Sequence, residues 1–157
     1  MSEVSGRRIR QATVMDVDVI VRHRRSMFED MGEGTKAQLD AMVKAARPFI
    51  AAGLRDGSYR AWLVEVGGHV VAGGGLAITP YQPTPLDPVA RRVFILNMYT
   101  EPQYRRQGLA VEVLQAILAW CREQGLRAVQ LHASEAGRAL YEKVGFEHTN
   151  EMRLLVG

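Results

Sequence analysis

Arg105, Arg106, Gln107, Gly108, Leu109 and Ala110 form a run whose residue types suit the capture of an anion. The run follows an apolar stretch, residues 93–99, and precedes a segment of helical periodicity, so a buried strand leads directly into a helix start. The first amides of a helix have no intrahelical partners, and the helix dipole places about half a positive charge among them. Gly108 removes the Cβ that would hold a phosphate away from the backbone, and Arg105 and Arg106 strengthen the field. A P-loop is excluded, because no Gly-Lys-Ser or Gly-Lys-Thr ends the turn.

Arg24 poses a second chemical question. At about 100° per residue it falls within the apolar stripe of Val17, Ile20, Val21, Phe28 and Met31. Unpaired burial of a charge is costly, so the guanidinium must reach solvent, pair with an internal carboxylate, or face a cavity that holds an anionic group. Cys121 lies in an apolar helical pattern with no second cysteine to pair with, which reads as a small core residue rather than a catalytic thiol.

The elements that must position these residues are legible in order. Residues 9–12 suit a short strand, and Thr13 with Asp16 forms a capped start for a first helix reaching Gly32. Thr35 and Gln38 make a second capping pattern, ahead of a helix that Pro48 should kink or end. Residues 61–66 and 70–78 read as a hairpin around Gly67 and Gly68, with Gly73, Gly74 and Gly75 marking a bulge or a close backbone approach. Residues 81–88 form a proline-rich loop and residues 93–99 a buried strand. Val113, Leu114, Ile117 and Cys121 face one side of a third helix that stops near Gly125. A strand over 128–132, a short helix over 135–143, and one or two closing strands over 146–155 complete the chain.

With 157 residues, 47% apolar and 24% charged, the chain has the balance of one globular domain, and no internal repeat or linker argues for a second. No apolar run approaches the roughly 18 residues that cross a bilayer, and residues 1–10 lack the apolar core of a signal peptide, so a cytoplasmic location is expected. The net charge of +3 is carried almost wholly by arginine, which pairs bidentately with phosphate and carboxylate.

From the turn outward, the sequence resembles the GNAT superfamily of N-acetyltransferases. The acetyl-coenzyme A turn of that family reads Gln or Arg, two residues, Gly, one residue, Gly or Ala, and Arg105, Gly108 and Ala110 match it. The resemblance extends upstream through Met98, Tyr99, Thr100, Glu101 and Pro102. Downstream it takes in Ala139, Leu140, Tyr141, Glu142, Lys143, Val144, Gly145 and Phe146, which look like the family's second signature. It implies a single mixed α/β (α+β) domain over residues 1–157, with a central, mostly antiparallel sheet of about six to seven strands and four helices.

The same resemblance implies the site. The backbone of Met98, Tyr99 and Thr100 would splay from its neighbour and pair with the pantetheine arm of acetyl-coenzyme A. The amides of Arg106, Gln107, Gly108, Leu109, Ala110 and Val111 would cradle its pyrophosphate beside Arg105. Ser134 stands where relatives often carry an asparagine against the pantetheine, and Gly137 stands at a usual alanine position. Tyr141 would lie beside the sulfur as general acid, its phenol donating to the departing thiolate. A backbone N–H near Met98 or Tyr99 would steady the developing oxyanion. Residues 93–99 carry no acid where some relatives have a glutamate. His23, Asp30, Glu33 and Glu101, read as exposed, remain candidate bases, and deprotonation through water is favoured. In the family the first two helices wall the acceptor site, so Arg24, flanked by Phe28, would read a substrate carboxylate.

The expected reaction is therefore acetyl transfer to a primary amine of a small molecule, with no metal, nucleic acid or membrane partner. The resemblance also allows a homodimer, because members of the family often dimerise. Two other readings compete. A coenzyme A sensor would keep the fold without catalysis, against which Tyr141 argues. A nucleic-acid module would use Arg22, Arg24, Arg25, Arg91, Arg92, Arg105 and Arg106, but these lie on different elements and aromatics are only 7%.

Overall fold

A computed structural model describes residues 3, 4 and 6–157 of the chain. Five strands, β1 (Glu3–Val4), β2 (Arg7–Gln11), β3 (Tyr59–Val66), β4 (His69–Pro80) and β5 (Arg91–Thr100), form one sheet in chain order, each antiparallel to the next. Helices α1 (Val17–Asp30) and α2 (Lys36–Asp56) join β2 to β3, while α3 (Leu109–Glu123) and α4 (Arg138–Val144) follow β5.

Alternation along β3 sends its side chains to two cores. Tyr59, Ala61 and Leu63 pack with Val17, Ile20, Val21 and Ile50 of α1 and α2. Trp62 and Val64 pack with Leu109, Val113, Leu114, Ile117 and Cys121 of α3. The sheet is therefore covered on both faces, which explains why its strands read as nearly continuous apolar runs. Cys121 is buried and its thiol is pushed up by that burial, as suits a core residue.

Local signals set most of the boundaries. Gly67 and Gly68 both take positive φ (56° and 82°), the turn that a two-residue hairpin needs. Thr13 and Asp16 close a capping box on the single 3₁₀ turn that leads into α1, and Thr35 and Gln38 do the same for α2. The carboxylate of Asp16 also takes both terminal nitrogens of Arg10, at 2.9 and 2.7 Å, while the Arg10 Nε donates to Glu65 at 2.7 Å. This bridge locks β2, β3 and the start of α1 together.

From the sequence, Pro48 should kink or end α2. Pro48 does not end α2, which continues to Asp56 and stops at Gly57 in a left-handed conformation. Burial of Ile50 and the close seat of Gly53 on Tyr59 outweigh the roughly 3 kcal/mol that an interior proline costs. The four helices are present as expected, but the sheet has five strands among the described residues. Residues 128–132 join it through one parallel bridge, Phe94 with Gln130, and residues 146–155 carry none of the described strands.

Candidate active site

The turn after β5 has the geometry its sequence suggested. Arg106 and Gly108 both take positive φ, 63° and 79°, on either side of Gln107. The first amide bond of α3 runs from Glu112 to the Gly108 carbonyl, at 3.1 Å. Among the described residues, the amides of Arg106, Gln107, Gly108, Leu109, Ala110 and Val111 have no protein acceptor. Six unpaired donors at a helix N-terminus make a nest for a diphosphate. Leu109 is buried and fixes the start of the helix in the core. A Cβ on Gly108 would meet no protein atom within 4 Å, so what demands glycine is its φ, and the space above it stays open. The exposed Arg105 side chain is tied to the protein's own groups: Nε donates to the Thr100 carbonyl at 2.9 Å, and one terminal nitrogen reaches Asp30 at 2.6 Å.

Strand β5 is bulged beside this turn. Tyr99 pairs with Gly73 but Leu96 pairs with Gly75, so Asn97 and Met98 together face Gly74. The bulge expected at the three glycines thus has its extra residue on the partner strand, at Asn97, whose φ is 59°. The glycines supply the close approach: a Cβ on Gly74 would lie 2.2 Å from the Met98 sulfur. On the other edge, Gln130 bonds to Val93 and Ile95, and among the described residues no backbone bond ties Met98, Tyr99 or Thr100 to residues 131–134. Tyr99 pairs with Gly73 on β4 and the Thr100 carbonyl is taken by Arg105, so the backbone of Met98 is the free part of that edge.

Tyr141 packs edge-on to Phe146, with ring centroids 5.7 Å apart, and burial raises its phenol, so it holds its proton at neutral pH. Its hydroxyl has no hydrogen-bond partner among the described residues, which leaves it able to donate. Ser134 sits close by, since a Cβ on Gly137 would be 3.1 Å from the Tyr141 ring and 3.2 Å from the Ser134 hydroxyl. That hydroxyl accepts the Gly137 N–H at 3.1 Å, which keeps its own proton for another acceptor.

On the other face of β5, Arg24 donates to the Asn97 side-chain oxygen at 2.8 Å, and the Asn97 amide nitrogen donates to the Tyr59 hydroxyl at 2.8 Å. The guanidinium lies 5.0 Å from the Phe28 ring centroid and is pushed down in pKa by loss of water. It has no carboxylate partner among the described residues and borders a cavity of about 330 Å³. Of the three outcomes open to Arg24, the structure therefore favours the cavity over the internal ion pair.

His23 departs from expectation. It is 3% exposed, not a surface residue, and it sits 3.4 Å from Glu101 and 5.1 Å, between ring centroids, from Tyr99. Burial lowers its pKa, against the pull of Glu101, so the imidazole is neutral near pH 7. Asp30 is engaged by Arg105, and Glu33 is exposed. The sequence reading passed over Asn97 and Tyr59. Asn97 left one signal, a side chain that tolerates left-handed backbone inside an otherwise apolar strand. No group of metal-ligating side chains and no helix long and apolar enough to cross a membrane occurs among the described residues.

The model of the acetyltransferase (GNAT) family matches residues 22–146, a span that holds the turn, the bulged strand and Tyr141. The chain belongs to that family. The domain is a GNAT acetyltransferase domain, and the six-amide nest lies within the matched span. An acetyltransferase of this GNAT kind from Ralstonia eutropha superposes with a TM-score of 0.91 at 34% identity, covering 96% of this chain and 99% of that one. A predicted acetyltransferase from Clostridium acetobutylicum, in a crystal structure with acetyl-coenzyme A, has a TM-score of 0.87 at 27% identity, with 96% of each chain covered. The uncharacterized N-acetyltransferase YjgM of Escherichia coli is 35% identical over 91 residues, which is 55% of this chain and 50% of that protein. The chain thus spans about half the length of that curated GNAT relative.

Proposed function

We propose that this domain transfers the acetyl group of acetyl-coenzyme A to the primary amine of a small molecule. The observation that carries the proposal is the set of six unpaired amides, Arg106 to Val111, lying next to a strand edge whose backbone is free at Met98. The amides would hold the pyrophosphate, and the Met98 backbone, with Ser134, the pantetheine. Acetyl-coenzyme A supplies the activated thioester.

The protein's own groups divide the work. The left-handed backbone at Asn97 turns the next peptide out of the ladder, which makes the Met98 N–H a fixed dipole for charge developing on the carbonyl oxygen. Tyr141, protonated and unpartnered, delivers a proton to the leaving sulfur. The amine attacks as its neutral form: an N–C bond forms, the C–S bond breaks, and the amine proton passes to water. Arg24 and Phe28 contact the acceptor. We take the setting to be cytoplasmic, with no nucleic acid or membrane partner.

The test is release of free thiol from acetyl-coenzyme A in the presence of a panel of amines. Amine-dependent release supports the reading. Tight binding of coenzyme A without release by any amine contradicts it.

A further inference from the structure

The cavity beside Arg24 has one charged group and no counter-charge. Its wall consists of Arg24, Asn97 and Tyr59 at one end and Met42, Ala45, Ala46, Phe49, Ile50 and Leu96 around the rest. None of these nine residues is acidic.

The polar end is built in a fixed sense. A guanidinium can only donate, so the Asn97 oxygen must face Arg24 and its NH₂ must face Tyr59. The Tyr59 hydroxyl therefore accepts from Asn97, and its own proton is left over. Deep burial pushes this phenol up to about 12, so it stays a neutral donor. Phe28 covers one side of the guanidinium, one N–H goes to Asn97, and Arg24 lines the cavity with no other side-chain partner among the described residues. This chain of contacts holds a positive fork in place and gives it no internal carboxylate.

The other end is apolar, and Phe49 is 55% exposed there, although aromatic side chains of this size are usually covered. A volume of about 330 Å³ is at the small end for ligand pockets, which suits one compact metabolite rather than a sugar chain or a folded peptide. The cavity also adjoins the reacting strand, since Leu96 and Asn97 immediately precede Met98 and Tyr99 on β5.

We propose that the acceptor is a free amino acid with an apolar side chain, its α-carboxylate held by Arg24 and its side chain lodged against Phe49, Met42 and Leu96. The proposal rests on the acetyl-transfer reading above. With the carboxylate on Arg24, the α-amine is two bonds from the carboxyl carbon and faces the bulged strand. The neutral amine gains the acetyl carbon, the thioester C–S bond breaks, the thiolate takes one proton and the nitrogen loses one. The products are an N-acetyl amino acid and coenzyme A.

The experiment compares leucine, methionine and phenylalanine with their carboxamides and with glycine, using thiol release from acetyl-coenzyme A by the unaltered protein. At least one free acid is expected to exceed its amide in kcat/KM by roughly tenfold or more, because the amide leaves a half-buried charge unpaired. Arg24→Gln should collapse that ratio towards one without changing the KM for acetyl-coenzyme A. Ala45→Leu, at an exposed position on the rim, should lower efficiency with the larger acids and spare glycine. If the unaltered protein turns over amines with no preference for any acid over its amide, the inference is overturned and acetyl transfer stands. If no amine is turned over at all, both are overturned. The acid-to-amide comparison needs no variant, so misfolding of Arg24→Gln cannot rescue the proposal.

Discussion

Arg24 donates to the side chain of Asn97 at 2.8 Å across 73 positions of sequence, tying α1 to the one residue of β5 whose backbone is left-handed, with φ 59°. Asn97 thus does two things at once: it provides the bulge that frees the Met98 peptide, and it aims a guanidinium into the cavity. These two demands can be separated. Asn97→Gly keeps the backbone conformation and loses the side-chain bonds, whereas Asn97→Ala loses the bonds and also strains φ. The alanine variant should be less stable than the glycine variant by about 1 kcal/mol, the reverse of the usual order within a strand. Urea denaturation of both proteins checks this, and equal midpoints would remove the bulge from the account.

The bridge between Arg10 and Asp16 predicts a pH dependence. The Arg10 side chain holds the Asp16 carboxyl below the usual carboxylate range, with a further bond from the Thr13 amide. A depressed carboxyl stabilises the native state above its unfolded pKa, near 4, and that contribution is lost as pH falls through the native value. Asp16→Asn should cost roughly 2 kcal/mol at neutral pH, the discounted value for a bridge that is only partly buried. The variant should also show a shallower acid transition than the parent; parallel transitions would contradict the assignment.

His23 should act in a higher pH window. Its imidazole is held neutral by burial, so the unfolded chain binds a proton more readily than the native one. Stability is therefore full above the ordinary imidazole pKa, about 6.5, and declines as pH falls below it. Replacing His23 with Gln should flatten the change in melting temperature between about pH 7.5 and about pH 5.5. An unchanged slope would mean that His23 takes up its proton as easily folded as unfolded.

Much of this arrangement was legible in the sequence, because local rules govern it. The Arg105 to Ala110 turn could be read from one glycine between a strand pattern and a helix pattern, and the position of Arg24 followed from helical angles. Long-range register is different. The bulge at Asn97 exists only relative to Gly73, Gly74 and Gly75, and a one-residue slip between paired strands leaves no period in either one. His23 read as exposed because its cover, Tyr99 on β5 and Glu101 just after it, lies far along the chain. Of the two outcomes read for Pro48, a kink or an end, the end fails for a related reason: the local cost is outweighed by packing of Ile50 and Gly53 against distant residues.

Tyr141 carries the proposed general-acid step, and its substitution separates chemistry from binding. Tyr141→Phe removes only the hydroxyl, while the ring keeps its contact with Phe146. The maximal rate of acetyl transfer should fall by roughly 10²- to 10⁴-fold with coenzyme affinity nearly intact. A chemistry-limited rate that does not change would take Tyr141 out of the mechanism.

The central claim, that the amides of Arg106 to Val111 hold the coenzyme, is tested most directly by calorimetric titration of acetyl-coenzyme A into the parent protein and Gly108→Val. The native φ of 79° and the open space above Gly108 make this position intolerant of a branched side chain on two counts: backbone strain, and obstruction where the anion would sit. Circular dichroism first establishes that the variant is folded. The account predicts saturable binding by the parent and a loss of about tenfold or more in the variant, the equivalent of roughly 1.4 kcal/mol. A folded Gly108→Val protein that binds acetyl-coenzyme A as tightly as the parent would contradict it.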